Sequence, residues 1–128
     1  MSLKNTIVVP VTPFEQNSSI IFCKETSKCA FVDPGGDIEV LLSKAKENNL
    51  LPEKILLTHG HIDHAGGASE LSEILNIKIE GPSVEDKFLL DSLQDQGRMF
   101  GMQSRNCTPD LWLKEGDIVS VGNMLLEV

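Results

Sequence analysis

No apolar run in the chain approaches the roughly 20 residues that a bilayer-spanning helix requires, which argues against a membrane protein. Met1–Thr6 lacks a basic stretch leading into an apolar core, so no signal peptide is expected. Positive charge is in short supply. Lys and Arg total 11 against 19 Asp and Glu, giving a formal charge of −8 and a pI near 4.7. A duplex-binding surface needs basic side chains to neutralise phosphates, so nucleic acid is not the expected partner. Cysteine is scarce as well. Cys23, Cys29 and Cys107 are an odd number with no C-x-x-C pair, which excludes a regular disulfide framework and suits a reducing, cytoplasmic location. Each thiol then reads as a small apolar side chain. There is no fixed-period repeat, low-complexity tract or linker, so residues 1–128 are expected to form one domain.

What is present is an ordinary globular composition, 41% hydrophobic and 23% charged, enough to bury a core. Apolar, β-branched runs predict strands over Thr6–Val11, Ser19–Cys23 and Cys29–Val32, with polar Lys24–Lys28 closing a hairpin. Pro10 and Pro13 interrupt the first run and mark an edge or a turn. Asp33-Pro34-Gly35-Gly36 is a turn. Ile38, Leu41, Leu42 and Ala45 then form a helical stripe, with Asp37 as N-cap and Asn48-Asn49 as the stop. Lys54–Thr58 reads as a buried strand. A second helix opens at Gly66-Gly67 with Ala68, Leu71, Ile74 and Leu75 facing inward, and Lys78–Glu80 is a short strand. Ser83 and Asp86 resemble a capping box for a third helix reaching about Leu93. Gln94–Pro109 is irregular, and Ile118–Val121, Gly122-Asn123 and Met124–Val128 form a hairpin. The order predicts a mixed α/β layered domain.

All three histidines fall in His59-Gly60-His61-Ile62-Asp63-His64, with a carboxylate among them. Imidazole and carboxylate are the ligands that zinc and similar divalent ions accept. The cluster follows a buried strand and precedes a helix, the end of an α/β sheet where ligand sites form. His59 and His61 are two apart, so extended backbone projects both to one side and they can grip one ion; Asp63 and His64 follow and can face a second. Gly60, Gly66 and Gly67 are expected to allow tight turns. Asp63 is placed to orient a water and take up a proton, making it the candidate catalytic residue as well as a ligand. Asp33 admits two readings, a hydrogen-bonding partner to a ligand histidine or a plain turn aspartate.

Together, His59–Gly67, the upstream Asp33-Pro34-Gly35, the opening Pro13–Asn17 and the closing Val119–Asn123 resemble the metallo-β-lactamase superfamily, its glyoxalase II branch in particular. The resemblance implies an αββα sandwich of which this chain is the N-terminal half. It implies one or two metal ions, zinc first with iron or manganese as alternatives. Residues matching His59 and His61 would bind the first and those matching Asp63 and His64 the second. A metal-bound hydroxide would attack a thioester or ester carbonyl, with hydroxyacylglutathione as leading substrate class. The family's further ligands would come after Val128, so the chain reads as C-terminally truncated, with little activity alone. Iron persulfide dioxygenase, lactonase and an inactive half-domain acting as an interaction module are the competing functions. The apolar strand Met124–Val128 suggests self-association.

Overall fold

The computed structural model describes residues 6–11, 16–101 and 104–128. The expectations for Pro13 and for the segment before Thr6 lie outside these residues. Strands β1 (Thr6–Val11), β2 (Gln16–Phe22) and β3 (Lys28–Val32) form an antiparallel meander. Pro10 is on β1, the edge strand, where a missing N–H interrupts no second ladder. The second strand starts three residues before the expected Ser19. Gln16 and Asn17, with no apolar alternation to announce them, are drawn in by pairing with Val11 and Pro10. The β2–β3 hairpin closes as expected, with the Ser27 N–H donating to the Cys23 carbonyl at 2.8 Å.

After β3 the topology changes. Helix α1 (Ile38–Glu47) crosses over to β4 (Leu51–Leu56), which runs parallel to β3. Ile38, Leu41 and Ala45 are buried and Leu42 partly so, as their spacing predicts. Asp37 does not cap this helix through its side chain; its backbone is left-handed (φ 47°). The helix ends where Asn48 Nδ2 donates to the Lys44 carbonyl and Asn49 turns left-handed (φ 56°). A one-turn helix α2 (Ile62–Ala65), unannounced by periodicity, and α3 (Ala68–Leu75) then lead to β5 (Lys78–Glu80), again parallel. The main sheet is ordered β1-β2-β3-β4-β5. On α3, Ala68 and Leu71 are buried, whereas Ile74, expected inside, is exposed.

The expected third helix is broken into a 3-10 turn (Val84–Asp86), α4 (Lys87–Leu90) and α5 (Leu93–Met99). Ser83 caps the turn, accepting from the Glu85 N–H at 3.3 Å. The break falls where the Ser92 hydroxyl bonds back to the carbonyls of Phe88 and Leu89, a competition that bends helices. Helix α5 occupies the start of the stretch expected to be irregular; residues 104–110 are irregular as predicted. A two-stranded sheet, β6 (Ile118–Val121) and β7 (Met124–Glu127), turns at Gly122 (φ 56°) as the hairpin reading requires.

Cys29–Phe31 of β3 and the C-terminal end of β4, Ile55 and Leu56, are buried on both faces, as befits the inner strands of a layered sheet. Phe31, Ile55 and Leu57 point into the core shared with Leu41, Leu71, Leu90 and Leu93. Ala30 and Leu56 point the other way, onto Leu113, Val119 and Val121 beneath the hairpin. The layers are therefore helices, main sheet and second sheet. Ile20 (0% exposed) and Ile21 (6%) are covered. Ile118, Leu125 and Val128 on the hairpin are exposed, as are Phe88, Met99 and Phe100 on the α4–α5 segment. No helix of the described residues is long and apolar enough to cross a membrane.

Candidate metal centre

Asp33 stands at the C-terminal end of β3 and Thr58 just past the end of β4. Because these strands are adjacent and parallel (Val32 opposite Leu56), the two residues emerge side by side. Asp33 is 6% exposed and adopts a left-handed backbone (φ 52°), a conformation that aspartate tolerates and most side chains do not. That turn aims its carboxylate across the strand ends. Oδ1 accepts from the Thr58 N–H at 2.8 Å, and Oδ2 accepts from the Thr58 hydroxyl at 2.6 Å. Oδ2 also lies 3.1 Å from Nδ1 of His64.

These contacts assign the imidazole tautomers. An aspartate oxygen can only accept here, so His64 Nδ1 carries the proton. The Thr58 hydroxyl spends its one hydrogen on Asp33, so towards His59 Nδ1, 3.0 Å away, it accepts, and that nitrogen too is the N–H. In the neutral ring this leaves Nε2 of both His59 and His64 as the lone-pair nitrogen, the form a divalent ion requires. The two rings approach to 3.7 Å between centroids, tilted 49°. His61 lies on the other side of His59, ring centroids 5.5 Å apart, and is exposed. Asp63, on the first turn of α2, places Oδ2 3.5 Å from His64 Nε2.

The four residues singled out in the sequence, His59, His61, Asp63 and His64, are thus gathered at one strand exit. The tightest group among the described residues is Asp33, His59 and His64, whose potential ligand atoms lie within 4.8 Å of one another. Asp33 already uses both oxygens on Thr58 and His64, so its carboxylate holds the His64 ring in one orientation. Thr58 joins that network unannounced, since a lone threonine before a histidine carries no local signal.

The glycines around the site serve close approach rather than unusual dihedrals. Gly66 (φ −59°) and Gly67 (φ −101°) have ordinary backbones, contrary to the expectation of special turns. A Cβ on Gly66 would press on the Gly35 carbonyl at 2.7 Å, and one on Gly67 on the Pro34 carbonyl at 2.7 Å. The Gly67 N–H donates to that Pro34 carbonyl at 2.8 Å. The Asp-Pro-Gly turn and the backbone of α2 are therefore stacked flat on each other, which brings Asp33 to His64. Beside Thr58, a cavity of about 980 Å³ opens between the two sheets, walled by Val32, Leu56, Leu57, Leu113 and Leu126 among others.

With this geometry in place, comparison with known proteins places the chain. A model of the metallo-beta-lactamase superfamily matches residues 11–128, and the chain belongs to that superfamily. The hydroxyacylglutathione hydrolase GloC of Haemophilus influenzae is 38% identical over 126 residues, covering 97% of this chain and 59% of that protein. Among solved structures, the BLEG-1 B3 metallo-beta-lactamase superposes with a TM-score of 0.80 at 25% identity, covering 95% of this chain and 59% of that one. TTHA1623, solved in a di-iron-bound form, gives 0.76 at 28% identity, over 87% of this chain and 55% of that one. The chain spans little more than half the length of each of these proteins.

Proposed function

We propose that this chain supplies the metal-binding strand exit of a metal-dependent hydrolase acting on a thioester or ester, of the hydroxyacylglutathione hydrolase type. The observation that carries the reading is the pair of Nε2 atoms on His59 and His64, left as lone-pair nitrogens by the Asp33–Thr58 network. The donor set fits a divalent ion: three imidazoles and the Asp63 carboxylate between His59 and His64, across the loop and the start of α2. His59 and His61 would hold a first ion, and Asp63 and His64 a second. Such an ion, when bound, lowers the pKa of water towards roughly 7 and polarises a carbonyl oxygen.

The protein's own part is positional. Asp33 keeps the His64 ring in one tautomer and one orientation, and Thr58 does the same for His59. Asp63, half-exposed at the same exit, is placed to accept a proton from an attacking water. Similarity to the Haemophilus protein favours hydroxyacylglutathione as substrate class, and zinc or iron as metal follows from the donor types. The exposed apolar residues Ile118, Leu125 and Val128 support self-association through the hairpin.

Metal analysis and light scattering of the purified chain, with a thioester hydrolysis assay on the chain extended to the length of its relatives, together test this reading. We expect zinc or iron to be retained and, in the extended version, Asp63→Asn to lower turnover without lowering the melting temperature. Metal-free protein without thioesterase activity would sink it, and one tightly held iron with sulfur oxidation would transfer it to a dioxygenase.

A further inference from the structure

The loop that carries His59 and His61 belongs to neither strand nor helix, so its backbone N–H groups find no partner in regular structure. One of them, together with the first N–H of α2, which has no partner within its helix, is met from far along the chain. The Gly60 N–H donates to Asp86 Oδ2 at 2.9 Å, and the Ile62 N–H donates to Gln96 Oε1 at 3.1 Å. These two groups flank His61. They are 26 and 34 residues from their acceptors. Both acceptors are themselves fixed. The Asp86 N–H donates to the Ser83 carbonyl at 3.0 Å, and Gln96 Nε2 donates to the Leu89 carbonyl at 2.9 Å and the Ser92 hydroxyl at 3.2 Å. The contact at Gly60 is also sterically close. A Cβ there would lie 3.0 Å from Leu89 Cβ and 3.1 Å from the Asp86 carbonyl.

We propose that Asp86 and Gln96 are positioning residues for the metal centre, a two-point clamp that fixes the backbone on either side of His61. The inference rests on the metal-binding reading above. Its physical content is separate, because neither side chain is invoked as a ligand. A loop free to move would carry His59 and His61 through many relative orientations, and the ion would have to select one of them. With both N–H groups held, that ordering is already present before metal arrives. The same two bonds explain why the broken helical segment α4–α5 lies against the loop, and why Gln96, half-buried beside exposed Gln94 and Asp95, turns inward.

Zinc competition with a chromophoric chelator, on the full chain, tests the clamp without any substrate. Asp86→Ala and Gln96→Met each remove an acceptor, and zinc affinity should fall about tenfold in each. Asp86→Asn keeps an acceptor oxygen while losing the charge, and should stay close to wild type. Amide hydrogen exchange in metal-free protein should quicken at Gly60 in the first variant and at Ile62 in the second, with no comparable change in the main sheet. Variants that hold zinc as tightly as wild type, or an Asp86→Asn as weak as Asp86→Ala, would overturn the clamp alone. A wild-type chain that takes up no zinc would overturn the metal reading and the clamp with it.

Discussion

Nδ1 of His64 and Oδ2 of Asp33 lie 3.1 Å apart across 31 residues of sequence. The bond joins the end of β3 to the one-turn helix α2, and it makes Asp33 a test of how far the site depends on residues that do not touch the ion. Asp33→Ala should weaken metal binding about 10- to 100-fold, the usual cost of losing a partner to a ligand histidine. It also leaves the Thr58 N–H without its acceptor, which should lower stability by about 1–3 kcal/mol. Asp33→Asn should recover part of the stability and little of the affinity, because in either orientation its amide sets a donor against the N–H of His64 or the backbone N–H of Thr58. Chelator competition and urea unfolding measure the two effects separately.

Gly35→Ala should be among the most damaging small substitutions in the chain. Its Cβ would fall inside contact distance of the Asp63 carbonyl, a backbone atom that cannot rotate away. Either the Asp-Pro-Gly turn or α2 must move, and overpacking of this kind costs about 1–3 kcal/mol or more. Metal binding should fall with stability, since the displaced helix carries Asp63 and His64. A variant with wild-type melting temperature and zinc affinity would show that the stacked backbones have room to spare.

His61 and Cys107 offer a controlled pair. His61 is exposed at the strand exit, and Cys107 is buried under α4, its N–H donating to the Leu90 carbonyl. His61→Ala should reduce zinc affinity while leaving the fold intact. Cys107→Ala should do the reverse, lowering the melting temperature through a lost packing contact and leaving the affinity unchanged. Equal affinities in the two variants would place the metal elsewhere.

Much of this arrangement was legible beforehand. The histidine cluster, the Asp-Pro-Gly turn and the strand–helix–strand order are written in short windows, where period and turn chemistry are local properties. Asp33 drew two readings because a turn aspartate and an anchoring aspartate share the same neighbours in sequence. What separates them is the parallel pairing of β3 with β4, a long-range fact. For the same reason the part that Thr58, Asp86 and Gln96 play at the site went unnoticed: each bonds to a partner far along the chain that periodicity cannot identify. Ile74 follows the helical stripe yet is exposed, because α3 buries a narrower face than its apolar spacing suggests.

Cys23 should titrate well below the other two thiols. Cys23 is lowered to about 7 by hydrogen bonds, first from the Thr26 side chain and then from the Asn123 N–H, which lies 3.4 Å from its sulfur. Burial pushes Cys29 up to about 12, with the Glu53 charge adding to it, and burial also raises Cys107. Thiolate absorbance should therefore show one transition near neutrality, lost in Cys23→Ser. Cys23 has a lower pKa folded than unfolded, so the unfolded chain binds the extra proton between about 7 and the ordinary value of 9.0. Its contribution to stability should be complete above that window and vanish as pH falls through 7. A single transition above pH 9 would refute the assignment.

Parallel pairing of Val32 with Leu56 has one more consequence. A one-residue slip between these strands would exchange the two faces of β4 and withdraw Thr58 from Asp33. If the proposed metal centre forms, it would work as a register gauge, since only the correctly aligned sheet assembles the network that presents both histidine nitrogens. An ion that binds the aligned state and no other draws the population towards it by mass action. Metal supplied during refolding should act as a proofreader of strand alignment, raising the yield of correctly paired chains before any substrate is met.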